Sequence, residues 1–196
     1  MKVVGVTGGI ASGKTTVCRV FESLGVPVYF ADNEAKKLYT SHPQVIEKVI
    51  ALMGDEILEN GSISTGKMGQ RVFEQPALLD SLNQIVHPAV AVHFAQWKEQ
   101  HRRTPYCVKE AAILIESGAS KDCDEIILVL CPEEKRLKHW MERSTNNSSS
   151  DFKHRMQRQW NDDQKIPYAT LLLNNDGSEL IVPQIVAFHE RMKQAQ

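Results

Sequence analysis

Apolar residues in this chain come in two arrangements that alternate along its length. Short unbroken runs at Val3 to Thr7, Val26 to Phe30, Cys107 to Ile115, Glu125 to Cys131 and Ala169 to Asn174 have the length and composition of buried strands. The segments between them carry apolar residues at helical spacing. Val17, Val20, Phe21 and Leu24 fall at i, i+3, i+4 and i+7, and Gly25 follows as a left-handed stop. Strands separated by helices predict an α/β fold, a five-stranded parallel sheet covered on both faces.

Between the second and third runs the pattern changes. Residues 33–104 contain several helical patterns: Val45, Ile46, Val49, Ile50 and Met53 ending at Gly54, then Ala77 through Val86, then Pro88 to about His101. A simple crossover is far shorter, so this insertion is expected to form a second lobe, with 1–32 and 105–196 as the core.

With 196 residues, 42% of them apolar, the chain can bury one good core and a small appended lobe. A formal net charge of −1 gives no general attraction for nucleic acid or an anionic membrane, so neither is expected as a partner. No apolar run nears the roughly 20 residues that span a bilayer, and the N-terminus enters a strand without a leader pattern. A cytoplasmic protein, monomeric or a weak homo-oligomer, is expected. Cys18, Cys107, Cys123 and Cys131 lack C-x-x-C spacing and read as reduced thiols. His42, His93, His101, His154 and His189 lack metal-ligand spacing.

The chemistry enters at Gly8-Gly9-Ile10-Ala11-Ser12-Gly13-Lys14-Thr15-Thr16, between the first strand and the first helix. This is a phosphate-binding loop. Gly8 and Gly13 permit a tight turn that points successive N–H groups inward, and the helix directs its positive dipole end at the same place. Gly9, Ala11, Ser12, Gly13, Lys14, Thr15 and Thr16 are therefore expected to hold a triphosphate, with Lys14 near the β and γ phosphates and the Thr15 hydroxyl on Mg²⁺. The four specified positions match by chance in roughly one chain of this length in a hundred, and the flanking strand and helix make coincidence rarer still.

A triphosphate loop serves kinases, motors and switches alike. A guanine-nucleotide switch needs an N-K-x-D segment, which is absent, and the third apolar run closes at Glu116 as a weak match to a motor's acidic strand end. Residues 135–160 hold Lys135, Arg136, Lys138, Arg143, Lys153, Arg155 and Arg158 around a polar hinge, Ser144 to Ser150. They read either as a lid over phosphates or as two solvated basic helix faces. Asp32, just after the second strand, either orients an attacking hydroxyl or caps the helix Glu34 to Tyr39, and both roles are compatible. Small size, insertion and basic helices together favour phosphoryl transfer to a small acceptor. Alternatives are a P-loop kinase for another hydroxyl or a nucleoside monophosphate, and a nucleotide-dependent switch.

The ordered set TGGIASGKTT, Ala31-Asp32, Gly54 to Leu58, His87-Pro88, AAILIESG, Arg143, Arg155, Gln159 and Asn174 to Ser178 resembles the dephospho-CoA kinase family over nearly the whole chain. The resemblance implies a P-loop nucleotide-kinase type of fold with a helical acceptor lobe and a mobile lid. It implies MgATP-dependent phosphorylation of the ribose 3′-hydroxyl of dephospho-CoA, which closes coenzyme A synthesis. ATP and Mg²⁺ are then the cofactors, and Lys14, Asp32 and Arg143 the catalytic residues. Asp32, His87 and Glu116 would meet the acceptor, and Asn175 and Gly177 would lie near the adenine. Where the family often has leucine-asparagine-arginine, this chain has Ile63-Ser64-Thr65, so Lys67 or Arg71 stands in for the arginine; His139 stands where another lid arginine is expected.

Overall fold

The computed structural model describes residues 1–145 and 147–194, so Asn146 of the polar hinge lies outside the described residues. The elements run β1 (Lys2–Gly8), α1 (Lys14–Ser23), β2 (Val28–Phe30), α2 (Ala31–Ser41), α3 (Pro43–Met53), β3 (Leu58–Glu59), β4 (Ser62–Ile63), α4 (Thr65–Glu74) and α5 (Leu78–Gln100). They continue with β5 (Tyr106–Glu110), β6 (Glu125–Leu130), α6 (Glu133–Glu142), α7 (Ser149–Gln157), α8 (Asp162–Lys165), β7 (Leu171–Asn174) and α9 (Ile181–Gln194). Two compact units result: Met1–Phe30 with the chain from His101 onward, and Ala31–Gln100.

In the first unit five parallel strands stand in the order β2-β5-β1-β6-β7, as the alternating pattern requires. The central strand β1 is buried from Val3 onward, because helices cover both of its faces. Phe21 of α1 is fully buried against Tyr106 and Phe188, at 6.3 Å and 6.1 Å between ring centroids, both edge to face. Burial of one such ring stabilises by about 1.5–3 kcal/mol, and here it fixes α1 against the sheet, so the loop between β1 and α1 has two rigid ends. Leu24 closes α1 and Gly25 follows at φ 79°, the left-handed stop expected of it. All four cysteines are free thiols, and Cys18, Cys107 and Cys131 are buried.

The third strand differs from its predicted extent. β5 ends at Glu110, and the apolar residues after it turn: Ser117 N–H donates to the Ile113 carbonyl and Gly118 N–H to that of Ile115. Leu114 and Ile115 are buried in this turn, which is why the run reads as strand when only hydrophobicity is seen. The acidic residue closing the strand is therefore Glu110, not Glu116.

The second unit gathers α2 to α5 around Val45, Val49, Met53, Met68, Leu82 and Val86. Two predicted helices prove to be one: α5 runs through Pro88, with Leu82 and Val86 before it and Phe94 after it buried. Burial on both sides of the proline outweighs the hydrogen bond it removes. A hairpin of β3 and β4 turns at Asn60 (φ 51°) and Gly61 (φ 77°), an Asn-Gly pair suited to a tight turn with both central residues left-handed. Among the described residues no helix is long and apolar enough to cross a membrane.

Candidate active site

The first unit carries the phosphate loop in a formed state. Gly8 and Gly13 have φ 149° and 101°, and a Cβ at Gly13 would collide with the Asn175 side chain. Ala11 also adopts a left-handed φ of 59°, a cost that a non-glycine residue accepts when the surroundings over-determine the turn. Two contacts hold it there. Asn175 Nδ2 donates to the Ser12 carbonyl at 2.8 Å, and His139 Nδ1 lies 3.3 Å from the Ala11 carbonyl. His139, standing at an expected arginine position, thus meets the loop backbone.

Lys14 is buried, and its ammonium donates to the Gly8 and Gly9 carbonyls, 3.0 Å each. Thr15 and Thr16 are exposed in the first turn of α1. The hydroxyls of Thr7 and Ser12 are buried with no hydrogen-bond partner among the described residues. Such groups suit a site that receives a polar ligand. Arg136 of α6 lies so close to Gly9 that a Cβ there would collide with its guanidinium. Its place in the basic run was the only sequence signal for this contact.

Nothing in the sequence marks Glu110 as the end of β5, because the apolar run continues past it to Ile115. It closes β5 paired in register with Val6 of β1, is buried, and its charge reaches Cys18 together with that of Lys14. No cluster of three or more metal-ligating side chains occurs among the described residues. One hydroxyl at Thr15 and one carboxylate at Glu110 fit Mg²⁺, which keeps several waters and takes other ligands from phosphates.

Glu116 lies beyond the strand in the turn. Its Oε1 accepts from the Trp160 N–H at 3.0 Å and lies 3.1 Å from the amine of fully buried Lys165. Arg143 ends α6 with an exposed side chain, and Gly177 takes φ 81° in the turn after β7, where Lys135 donates to the Asp176 carbonyl. Trp140 donates to the Ser148 carbonyl at 3.0 Å and carries the Arg155 guanidinium 5.4 Å from its ring, closing the connection between α6 and α7.

The second unit holds Asp32, His87, Lys67 and Arg71. Asp32 lies within the first turn of α2, which opens at Ala31, so it is not the cap of a helix starting at Glu34. There a carboxylate complements the helix dipole. Lys67 and Arg71, one turn apart on α4, reach the Leu58 carbonyl at 2.7 Å and Glu56 at 3.0 Å.

Asp32 and His87 are electrostatic neighbours. Burial pulls the His87 imidazole below its ordinary pKa of 6.5, and the Asp32 charge acts in the opposite direction. The unfolded chain therefore takes up a proton more readily than the folded one. His87's contribution to stability is fully present above pH 6.5 and is lost as pH falls through the lower folded value. Urea unfolding on both sides of that pH checks this: His87→Gln should flatten the dependence, and an unchanged slope would remove His87 as its source.

The dephospho-CoA kinase family model matches residues 2–180. A dephospho-CoA kinase of Bacteroides fragilis (strain YCH46) is 34% identical over 183 residues, 93% of this chain and 89% of that protein. One from Porphyromonas gingivalis is 35% identical over 197 residues, 98% and 95% of the two chains. A solved structure from Thermus thermophilus shares the fold with a TM-score of 0.82 and 27% identity, over 100% of this chain and 98% of the other. The dephospho-CoA kinase from Campylobacter jejuni has a TM-score of 0.71 at 24% identity, over 100% of both chains, and supports the fold alone. A formed triphosphate loop on a five-stranded parallel sheet and a family match from the second residue to past the last strand agree: the chain belongs to the dephospho-CoA kinase family.

Proposed function

We propose that the protein transfers the γ-phosphoryl group of ATP to the ribose 3′-hydroxyl of dephospho-CoA, giving coenzyme A and ADP. The observation that carries this reading is the family match over residues 2–180, spanning a formed phosphate loop. The amides of Gly9, Ala11, Ser12, Gly13, Lys14, Thr15 and Thr16 bind the triphosphate, and the Lys14 ammonium moves from its two carbonyls onto the β and γ phosphates. Mg²⁺, when bound, neutralises charge on those phosphates, with Thr15 and Glu110 as the side chains that would hold it or its waters.

Asp32 accepts a hydrogen bond from the 3′-hydroxyl and aims its oxygen at the γ-phosphorus. As the new P–O bond forms, the bond to the β–γ bridging oxygen breaks and ADP leaves; the hydroxyl proton passes to Asp32 and then to solvent. The transition state is loose, so alignment of the hydroxyl matters more than early proton removal. Arg143 and Arg136 add positive charge from the basic helices, which act as a lid over about residues 135–160. Asn175 and Gly177 form the turn beside the adenine. His87, with Lys67 or Arg71, meets the acceptor in the helical unit, residues 33–104, while Glu116 borders the site through Trp160. The protein works in the cytoplasm as a monomer or weak homo-oligomer on these two small molecules, without nucleic acid or membrane.

The test is MgATP with dephospho-CoA, adenosine monophosphate, uridine or shikimate, following ADP. Release above background is expected with dephospho-CoA only. Equal rates with all four, or none with any, would exclude the proposal.

A further inference from the structure

Gln159 makes a pair of contacts that the reaction as described does not use. It follows α7, two residues past Gln157, and its side-chain amide makes two hydrogen bonds to backbone far away in sequence. Oε1 accepts from the Ile10 N–H, at the apex of the phosphate loop, at 2.8 Å. Nε2 donates to the Ala112 carbonyl, just beyond β5, at 2.9 Å. The next residue, Trp160, gives its backbone N–H to Glu116, four residues past Ala112 and 3.1 Å from the Lys165 ammonium, which is 0% exposed.

These contacts join three places at the C-terminal end of the sheet: the loop after β1, the turn after β5, and the exit of the second basic helix. A side-chain amide accepts from an N–H through its oxygen and donates to a carbonyl through its nitrogen at once, and both bonds are near ideal length. Glu116 is a partly buried carboxylate that would cost free energy alone; the buried ammonium of Lys165 compensates it and leaves its Oε1 fixed as an acceptor. Ile10 lies between Gly9, whose carbonyl accepts from Lys14, and left-handed Ala11. A shift at Ile10 is therefore felt at both the lysine and the strained residue.

We propose that Gln159 is a positioning residue: its amide clamps the Ile10 N–H and the Ala112 carbonyl, holding the loop apex in register with the strand that ends in Glu110 and with the base of the basic helices. The catalytic part of this inference rests on the kinase reading. The clamp acts on the apex while the amides of Gly13 to Thr16 remain on α1, so its loss lowers turnover more than nucleotide affinity. It also makes the lid hinge about a fixed point at residues 159 and 160, since the strap joins the exit of α7 to the sheet.

The experiment compares the full chain with Gln159→Met, which removes both hydrogen bonds, and Gln159→Glu, which keeps only the acceptor for Ile10. Amide exchange at Ile10 is measured without ligand, and kcat and KM for ATP with dephospho-CoA. Exchange at Ile10 is expected to quicken by about tenfold in Gln159→Met and to stay slow in Gln159→Glu. Gln159→Met should lose about tenfold in kcat with KM for ATP within about twofold. Equal Ile10 exchange in all three proteins, or full turnover in Gln159→Met, overturns the proposal. A wild-type chain without activity but with the expected exchange pattern would instead overturn the kinase reading and leave the clamp standing.

Discussion

Lys14→Ala should reduce kcat by about a hundred- to a thousandfold, a loss of about 2.7–4 kcal/mol of transition-state stabilisation. The magnitude follows from where the ammonium stands. It is buried and held by two carbonyls of the loop it serves, so its charge is already at the loop before any ligand arrives and has only to pass from those carbonyls to the phosphates. Charge on the transferring phosphoryl group and on the leaving oxygen shifts during the reaction, so the interaction strengthens towards the transition state and the loss appears chiefly in turnover. The fold should survive, because α1 is fixed by Val17, Cys18 and Phe21 and not by the lysine. Lys14→Arg should not restore activity, since a planar guanidinium does not fit a point charge between two carbonyls 3.0 Å away. Steady-state ADP release with saturating acceptor measures this, and a kcat within tenfold of wild type would remove Lys14 from the chemistry.

The second large effect belongs to Asp32. Asp32→Asn keeps the side chain's size and its place in the first turn of α2 while removing the charge. Turnover should fall about a hundredfold, the low end of the range for general base catalysis, because in a loose transition state the carboxylate acts mainly by aligning the hydroxyl. Affinity for ATP should stay within about twofold, since the loop that binds the triphosphate lies in the other unit. The substitution also has a signature independent of activity. The Asp32 charge raises the His87 pKa against the effect of burial, so its removal should lower that pKa further, measurable by NMR titration. Undiminished turnover would discard Asp32 as the hydroxyl's partner; an unmoved His87 titration would show that the two side chains do not interact.

The parts of this molecule legible in the sequence are those whose cause is local. Gly8, Gly13 and Lys14 define a backbone path and a charge within a few residues, and the structure carries that path out. The order of strand and helix was legible for the same reason. Glu110 was not, because the apolar run from Cys107 to Ile115 continues past the end of β5 into a buried turn, and hydrophobicity alone does not separate the two. The continuity of α5 through Pro88 was hidden because a proline is a local stop signal that packing on both sides overrides. The Asn60-Gly61 pair is a local turn signal, but the two-residue strands beside it are too short to show an alternating pattern. The left-handed Ala11 has no local cause. It depends on Asn175 and His139, more than a hundred residues away, and spacing along the chain does not reveal such pairings.

The position of phosphate on the product tests the assignment most directly. Dephospho-CoA incubated with the protein and MgATP, then analysed by phosphorus–proton correlation NMR, should yield one new phosphomonoester coupled to the ribose 3′ proton, in step with ADP. A phosphate coupled to any other proton, or ADP formed with the dephospho-CoA unchanged, contradicts it.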